Sequence, residues 1–172
     1  MVDKLLQRKA GKNQQYTPVT QSAGSADAGK LPALNSSGKL DSTLMPDGIG
    51  AQTRTATATE ALTAGVFVNE YANAGVMSVR LADNSNSRPA TGFVKTGFAS
   101  SAVATIWPLD STNDQLTGLT LGTDYYLGTA GGVLATPLDA TDAAQAGKID
   151  QKLGKARSAT ELVTDDYDYV VL

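Results

Sequence analysis

The chain has 172 residues, with 14 lysines and arginines against 17 aspartates and glutamates, and it contains neither histidine nor cysteine. Those absences exclude Ser-His-Asp and Cys-His nucleophile systems, Cys/His zinc sites and disulfide staples. The length suits one modest domain with an extension. Charge is unevenly placed. Residues 1–12 carry Lys4, Arg8, Lys9 and Lys12 against Asp3, whereas residues 51–172 carry eight basic and thirteen acidic side chains. A basic end on an acidic body fits an acidic protein surface. Four charges fall short of a nucleic-acid footprint, so no nucleic-acid partner is expected. No apolar run approaches the roughly 20 residues that span a bilayer, so no membrane partner is expected either. Residues 1–8 (MVDKLLQR) lack the apolar stretch of a secretion signal. Ala, Thr, Gly and Ser dominate, and a core of such small residues buries little area, which favours association between copies.

In chain order, residues 1–12 read as a short helical turn around Leu5, Leu6 and Arg8, stopped by Gly11. Residues 13–28 read as an extended linker. Residues 29–50 string single apolar side chains between Pro, Gly and Ser, and such a segment cannot build its own core. Its Gly29-Lys30-Leu31 recurs as Gly38-Lys39-Leu40, and Asp47-Gly48-Ile49-Gly50 closes it with turn residues. Leu31, Leu34, Leu40, Leu44 and Met45 are therefore the candidate partner-binding residues, since only a foreign surface can bury them.

From about Thr53 the pattern changes to short alternating or β-branched runs. Residues 66–71 and 76–81 read as strands joined by a hairpin turn at Asn73-Ala74-Gly75. Residues 90–95 and 102–107 follow, with Pro108 ending the latter or setting it at an edge. Residues 125–127 and 133–135 flank the glycine-rich run 128–132, read as a flexible hairpin tip. Residues 149–156 and 167–172 complete the set. Glu60-Ala61-Leu62 and residues 139–146 are the only other helical candidates. Leu62-Thr63-Ala64-Gly65 and Leu119-Thr120-Leu121-Gly122 read as one kind of turn used twice. The fold class expected is mainly β: a compact β-barrel or β-sandwich domain over residues 53–172, preceded by a long extended N-terminal arm over residues 1–52.

Chemistry is scarce. Asp165, Asp166 and Asp168 lack the spacing and central glycine of a calcium loop and read as a solvated turn. Asp139 and Asp142 serve equally as ligands or as caps of a short helix. Residues 128–133 lack the lysine and helix of a phosphate loop. If 148–157 is a strand, Lys148 and Lys152 share one face and Lys155 and Arg157 the other, which suits edge protection. Trp107 reads as a core or interface anchor. No catalytic residue, cofactor or metal is expected, and the chain is not expected to be an enzyme.

The stretch 31–46 (LPALNSSGKLDSTLMP) resembles segments of structural proteins of tailed bacteriophages, in tail-fibre chains and head-associated proteins alike. Residues 60–69 (EALTAGVFVN), 89–94 (PATGFV), 116–127 (LTGLTLGTDYYL), 151–156 (QKLGKA) and 158–162 (SATEL) are similar to the small β domain of phage capsid decoration (cement or head-fibre) proteins. The resemblance covers roughly residues 29–172. It implies a virion protein made in the bacterial host cytoplasm and seated on the capsid surface as a homotrimer. Its partner would be the major capsid protein, with the arm lying along neighbouring coat subunits, and it would stabilise the shell. A tail-fibre, vertex-fibre or baseplate adaptor uses the same string. A carbohydrate-binding or glycan-cleaving module, from another class, would need an exposed aromatic platform or a carboxylate cleft.

Overall fold

A computed structural model describes residues 4–45 and 52–172. The chain divides into two compact units, Met1–Gly50 and Ala51–Leu172.

The first unit opens on a β-hairpin, not a helical turn. Strands β1 (Leu5–Lys9) and β2 (Lys12–Tyr16) pair antiparallel, from Leu5 opposite Tyr16 to Lys9 opposite Lys12. Ala10 and Gly11 both take positive φ, 51° and 76°, the mirror-image turn that matches the twist of a two-residue hairpin. Residues 13–28 are not a linker either. They hold β2 and a 3-10 turn, Gly24–Asp27. A second 3-10 turn, Ser42–Leu44, is capped by Asp41, whose carboxylate accepts from the Thr43 amide at 3.0 Å. The expected turn at residues 47–50 lies outside the described residues.

The regular structure of the second unit is strand, apart from one 3-10 turn at Ala143–Gln145. Its first sheet joins β3 (Arg54–Ala58), β4 (Phe67–Asn73), β5 (Val76–Leu81), β6 (Gly92–Phe93) and β7 (Val103–Ile106) in the order β6-β4-β5-β3-β7. The two ends of that order meet, because Phe93 and Trp107 exchange backbone hydrogen bonds of 3.0 and 2.8 Å. The sheet is therefore a nearly closed barrel. Gly92 permits the seam: a Cβ there would sit 2.5 Å from the Trp107 carbonyl oxygen. The barrel is filled by Ala56, Ala58, Val68, Val79, Val94, Ala104 and Ile106, with Leu62 packed among them. Alanine at three of these positions is what lets so few strands close.

The second sheet joins β8 (Thr112–Asn113), β9 (Asp124–Leu127), β10 (Val133–Leu134), β11 (Ile149–Ala156) and β12 (Leu162–Thr164) in the order β10-β9-β11-β12-β8, with β13 (Tyr169–Val171) also on β11. Phe67 and Phe93 leave the outer side of the barrel and pack with Tyr125, Leu127, Leu153, Ala156 and Leu162 of this sheet. The two phenylalanine rings lie 5.9 Å apart, tilted by 58°. Trp107 is half-buried against this core, with the Lys95 ammonium 4.4 Å from its ring centre.

Three expectations change here. Glu60-Ala61-Leu62 is not helical. The Glu60 carboxylate accepts from the Leu81 amide at 2.8 Å, and Leu62 pairs with Phe98, so tertiary pairing overrides helix propensity. The β9–β10 tip is not free. Gly131 donates to the Ala82 carbonyl and accepts from the Phe67 amide, tying the tip to β4 and the end of β5. Finally, β11 is a central strand bonded to β9, β12 and β13, so its lysines protect no edge. A β-bulge between Lys152 and Gly154 also undoes the two-face split. Lys152 and Lys155 both reach Asp124, at 3.3 and 2.8 Å. Of the cap candidates, Asp142 caps the 3-10 turn Ala143–Gln145, and Asp139 accepts from the Thr141 amide. The two Leu–Gly echoes are the same kind of turn, with Gly65 and Gly122 at positive φ.

Asp83 shows how the loops are sewn together. Burial works to raise its carboxyl pKa, but Ser85 and the Ala130 amide donate to it at 2.7–3.0 Å and hold it below its ordinary 3.8. The fold thus binds the ionised form. Its contribution is complete above the unfolded pKa near 4 and is lost as pH falls through the lower folded value. Asp83→Asn is expected to melt lower than the wild type at neutral pH, and the gap is expected to shrink below about pH 4 as the wild type loses the same contribution. Thermal melts across that range read it out; a constant gap would contradict the assignment.

Candidate interaction surfaces

Among residues 4–45 no side chain is fully buried. The backbone is instead held by polar contacts. The Tyr16 hydroxyl accepts from the Leu31 amide at 2.6 Å. Val19 bridges to Pro32 in parallel, donating to the Leu31 carbonyl and accepting from the Ala33 amide. The Asn35 side chain accepts from the Ser37 and Lys39 amides, and Gln21 reaches Asp41. Lys30 pairs with Asp27 at 2.6 Å. The repeated Gly-Lys-Leu is a repeated turn, with Gly29 and Gly38 at φ 77° and 70°.

This wiring leaves the apolar side chains outside. Leu31, Leu34, Leu40 and Met45 are 54, 58, 42 and 38% exposed, while Leu44, inside the second 3-10 turn, is half-buried. Leu5 and Leu6 on the basic hairpin are also exposed, a pair expected on a helix and absent from the candidate binding residues. The hairpin is a two-stranded sheet, so both of its outer edges are unpaired among the described residues.

Charged side chains of the second unit are largely spent on structure. Arg54 grips Glu70 through two nitrogens, at 2.7–3.3 Å, and also donates to the Thr91 carbonyl. Lys95 pairs with Asp114. Among the described residues no group of three or more acidic side chains converges as a metal site. The aspartates at 165, 166 and 168 stand exposed in the break between β12 and β13, as a solvated turn should.

The fold defines the class: a mainly β protein whose nearly closed five-stranded barrel is backed by a second antiparallel sheet. No protein-family model matches the chain, and no curated protein matches it in sequence. Among solved structures it is similar to the N base of head fiber gp8.5 of bacteriophage phi29, at 13% identity over 67% of this chain and 95% of that one, with a TM-score of 0.44.

Proposed function

We propose that this chain is a structural protein of a tailed-phage virion, a capsid decoration protein that binds the outside of the shell as a homotrimer and stabilises it. The carrying observation is the first unit, which fixes its backbone with polar bonds while leaving its leucines in water. Fully burying one such side chain is worth about 1.5–3 kcal/mol. Turns that already hold the segment lower the ordering cost of docking, which otherwise runs to about 1–2 kcal/mol per residue. Three copies on one base multiply weak contacts through effective concentration. The open hairpin edges offer the major capsid protein a strand to add to. A ligand that binds only the assembled shell stabilises that shell by mass action. The short stretches at residues 31–46 and 60–69 that resemble phage structural proteins fit the same reading.

The test is binding to purified shells. A chain lacking residues 1–50 is expected to lose binding while residues 51–172 melt as before, and the full chain carrying serine at 31, 34, 40 and 45 is expected to lose it too. Wild-type occupancy by either form would reject the proposal. A copy number matching one vertex or one tail, not the whole shell surface, would reassign the chain to a fibre adaptor.

A further inference from the structure

The second unit carries a feature that shell binding does not use: a cleft of about 350 Å³ where the break between β12 and β13 faces the start of β3 and the residues leading into β6. Its walls include Arg54, Thr91, Asp166, Tyr167, Asp168 and Tyr169. Two tyrosines and two carboxylates thus share one concave surface. Tyr167 and Tyr169 are 39 and 47% exposed. The Lys152 ammonium sits 5.1 Å from the Tyr167 ring centre and steadies that ring. The side chains of Asp166 and Asp168 have no ion pair and no hydrogen bond among the described residues, whereas the Arg54 charge is already matched by Glu70. The cleft is therefore a net negative, acceptor-rich site with partly exposed aromatic rings.

That chemistry narrows the ligand. Phosphate or another anion would meet two unmatched carboxylates. A purely apolar ligand would strip water from those carboxylates and give nothing back. A metal ion would need more converging ligands than the described residues supply. A neutral sugar engages both the carboxylates and the rings: its hydroxyls donate to carboxylates, and its C–H face covers a tyrosine ring that also keeps a polar tip. The volume lies at the small end of the roughly 300–1,000 Å³ typical of ligand sites, and so fits a short oligosaccharide. We infer that the cleft between Tyr169, Tyr167, Asp166 and Asp168 binds a neutral oligosaccharide. This inference is independent of the role proposed for residues 1–50.

The experiment is calorimetric titration of the full chain with neutral trisaccharides of glucose, galactose, mannose and N-acetylglucosamine, with sialyllactose as the anionic comparison and trilysine as the cationic one. At least one neutral trisaccharide is expected to bind with a Kd of about 1 mM or tighter. Tyr169→Ala is expected to weaken it about tenfold, Asp168→Asn about fivefold, and sialyllactose is expected to bind at least about tenfold more weakly than the best neutral probe. Both substitutions fall on exposed side chains, so melting curves should coincide with the wild type and a loss will report on the cleft. The inference is overturned if none of the four neutral sugars binds at about 10 mM, if Tyr169→Ala binds the best of them as tightly as the wild type, or if trilysine alone binds.

Discussion

Replacing Gly154 by alanine is expected to destabilise residues 51–172 by about 3 kcal/mol or more, toward the upper end of what overpacking costs. Gly154 sits at the β-bulge where β11 meets both β9 and β12. A Cβ at this position would lie 2.0 Å from the Val163 carbonyl oxygen and 2.9 Å from the Thr164 Cα. Both are backbone atoms of the paired strand, so no side-chain rotation relieves the clash. The strand must slip or part, and β11 is the strand on which the sheet is assembled. For a unit of this size the expected fall in melting temperature is roughly 10–15 °C. Gly118→Ala is the control. Gly118 also has positive φ, 72°, but nothing lies within 4 Å of its Cβ position, so only the conformational cost of about 1 kcal/mol is expected. Equal melting of the two variants would show that β12 yields freely and that the bulge is not fixed by close approach.

Gln151→Leu is the second large effect, expected at about 2–5 kcal/mol from two orphaned backbone groups. Gln151 is 2% exposed, and its amide copies a strand: Oε1 accepts from the Ala90 N–H at 2.7 Å and Nε2 donates to the Ala90 C=O at 3.0 Å. Leucine fills similar space and can do neither. Gln151→Glu separates the two bonds. Glutamate keeps the acceptor but loses the donor to Ala90 and buries a charge, so it too should melt well below the wild type and should recover partly as acid neutralises it. Denaturant unfolding of both variants measures the cost. A Gln151→Glu variant as stable as the wild type would show that the Nε2 bond contributes nothing.

Much of this architecture is legible where local chemistry and tertiary pairing agree. Asn73-Ala74-Gly75 announces its hairpin because positive φ at Ala74 and Gly75 is a local demand. The same Ala-Gly pair turns β1 into β2, but KNQQY lacks apolar alternation, so nothing there flags a strand. β3 alternates Thr and Ala, and its buried alanines speak too softly to register as a period of two. The two-residue strand β8 exists through its partners alone, whereas the strand read over residues 90–95 shortens to the two residues of β6. The bulge at Leu153 is beyond reach for the same reason: it is a property of the pairing between β11 and β9. The exposed leucines of the first unit can be read from their breaker-rich spacing. The cleft cannot, since Arg54, Thr91 and Tyr169 stand far apart along the chain.

The fastenings of the second unit carry a kinetic consequence. Its buried amide bonds span long stretches of chain: Asn84 to Leu127 across 43 residues, Asn113 to Gly65 across 48, and Gln151 to Ala90 across 61. Loop closure must be completed before such contacts give any return, so topologies of this kind fold in milliseconds to seconds, not microseconds. Phe67 and Phe93 on the outer side of the barrel pack with Leu153 of β11, so that flank stays uncovered until β11 has been synthesised. A ribosome carrying a partial product therefore holds a barrel with a bare apolar flank, and crowding by sister chains at that stage is when mispairing is most costly.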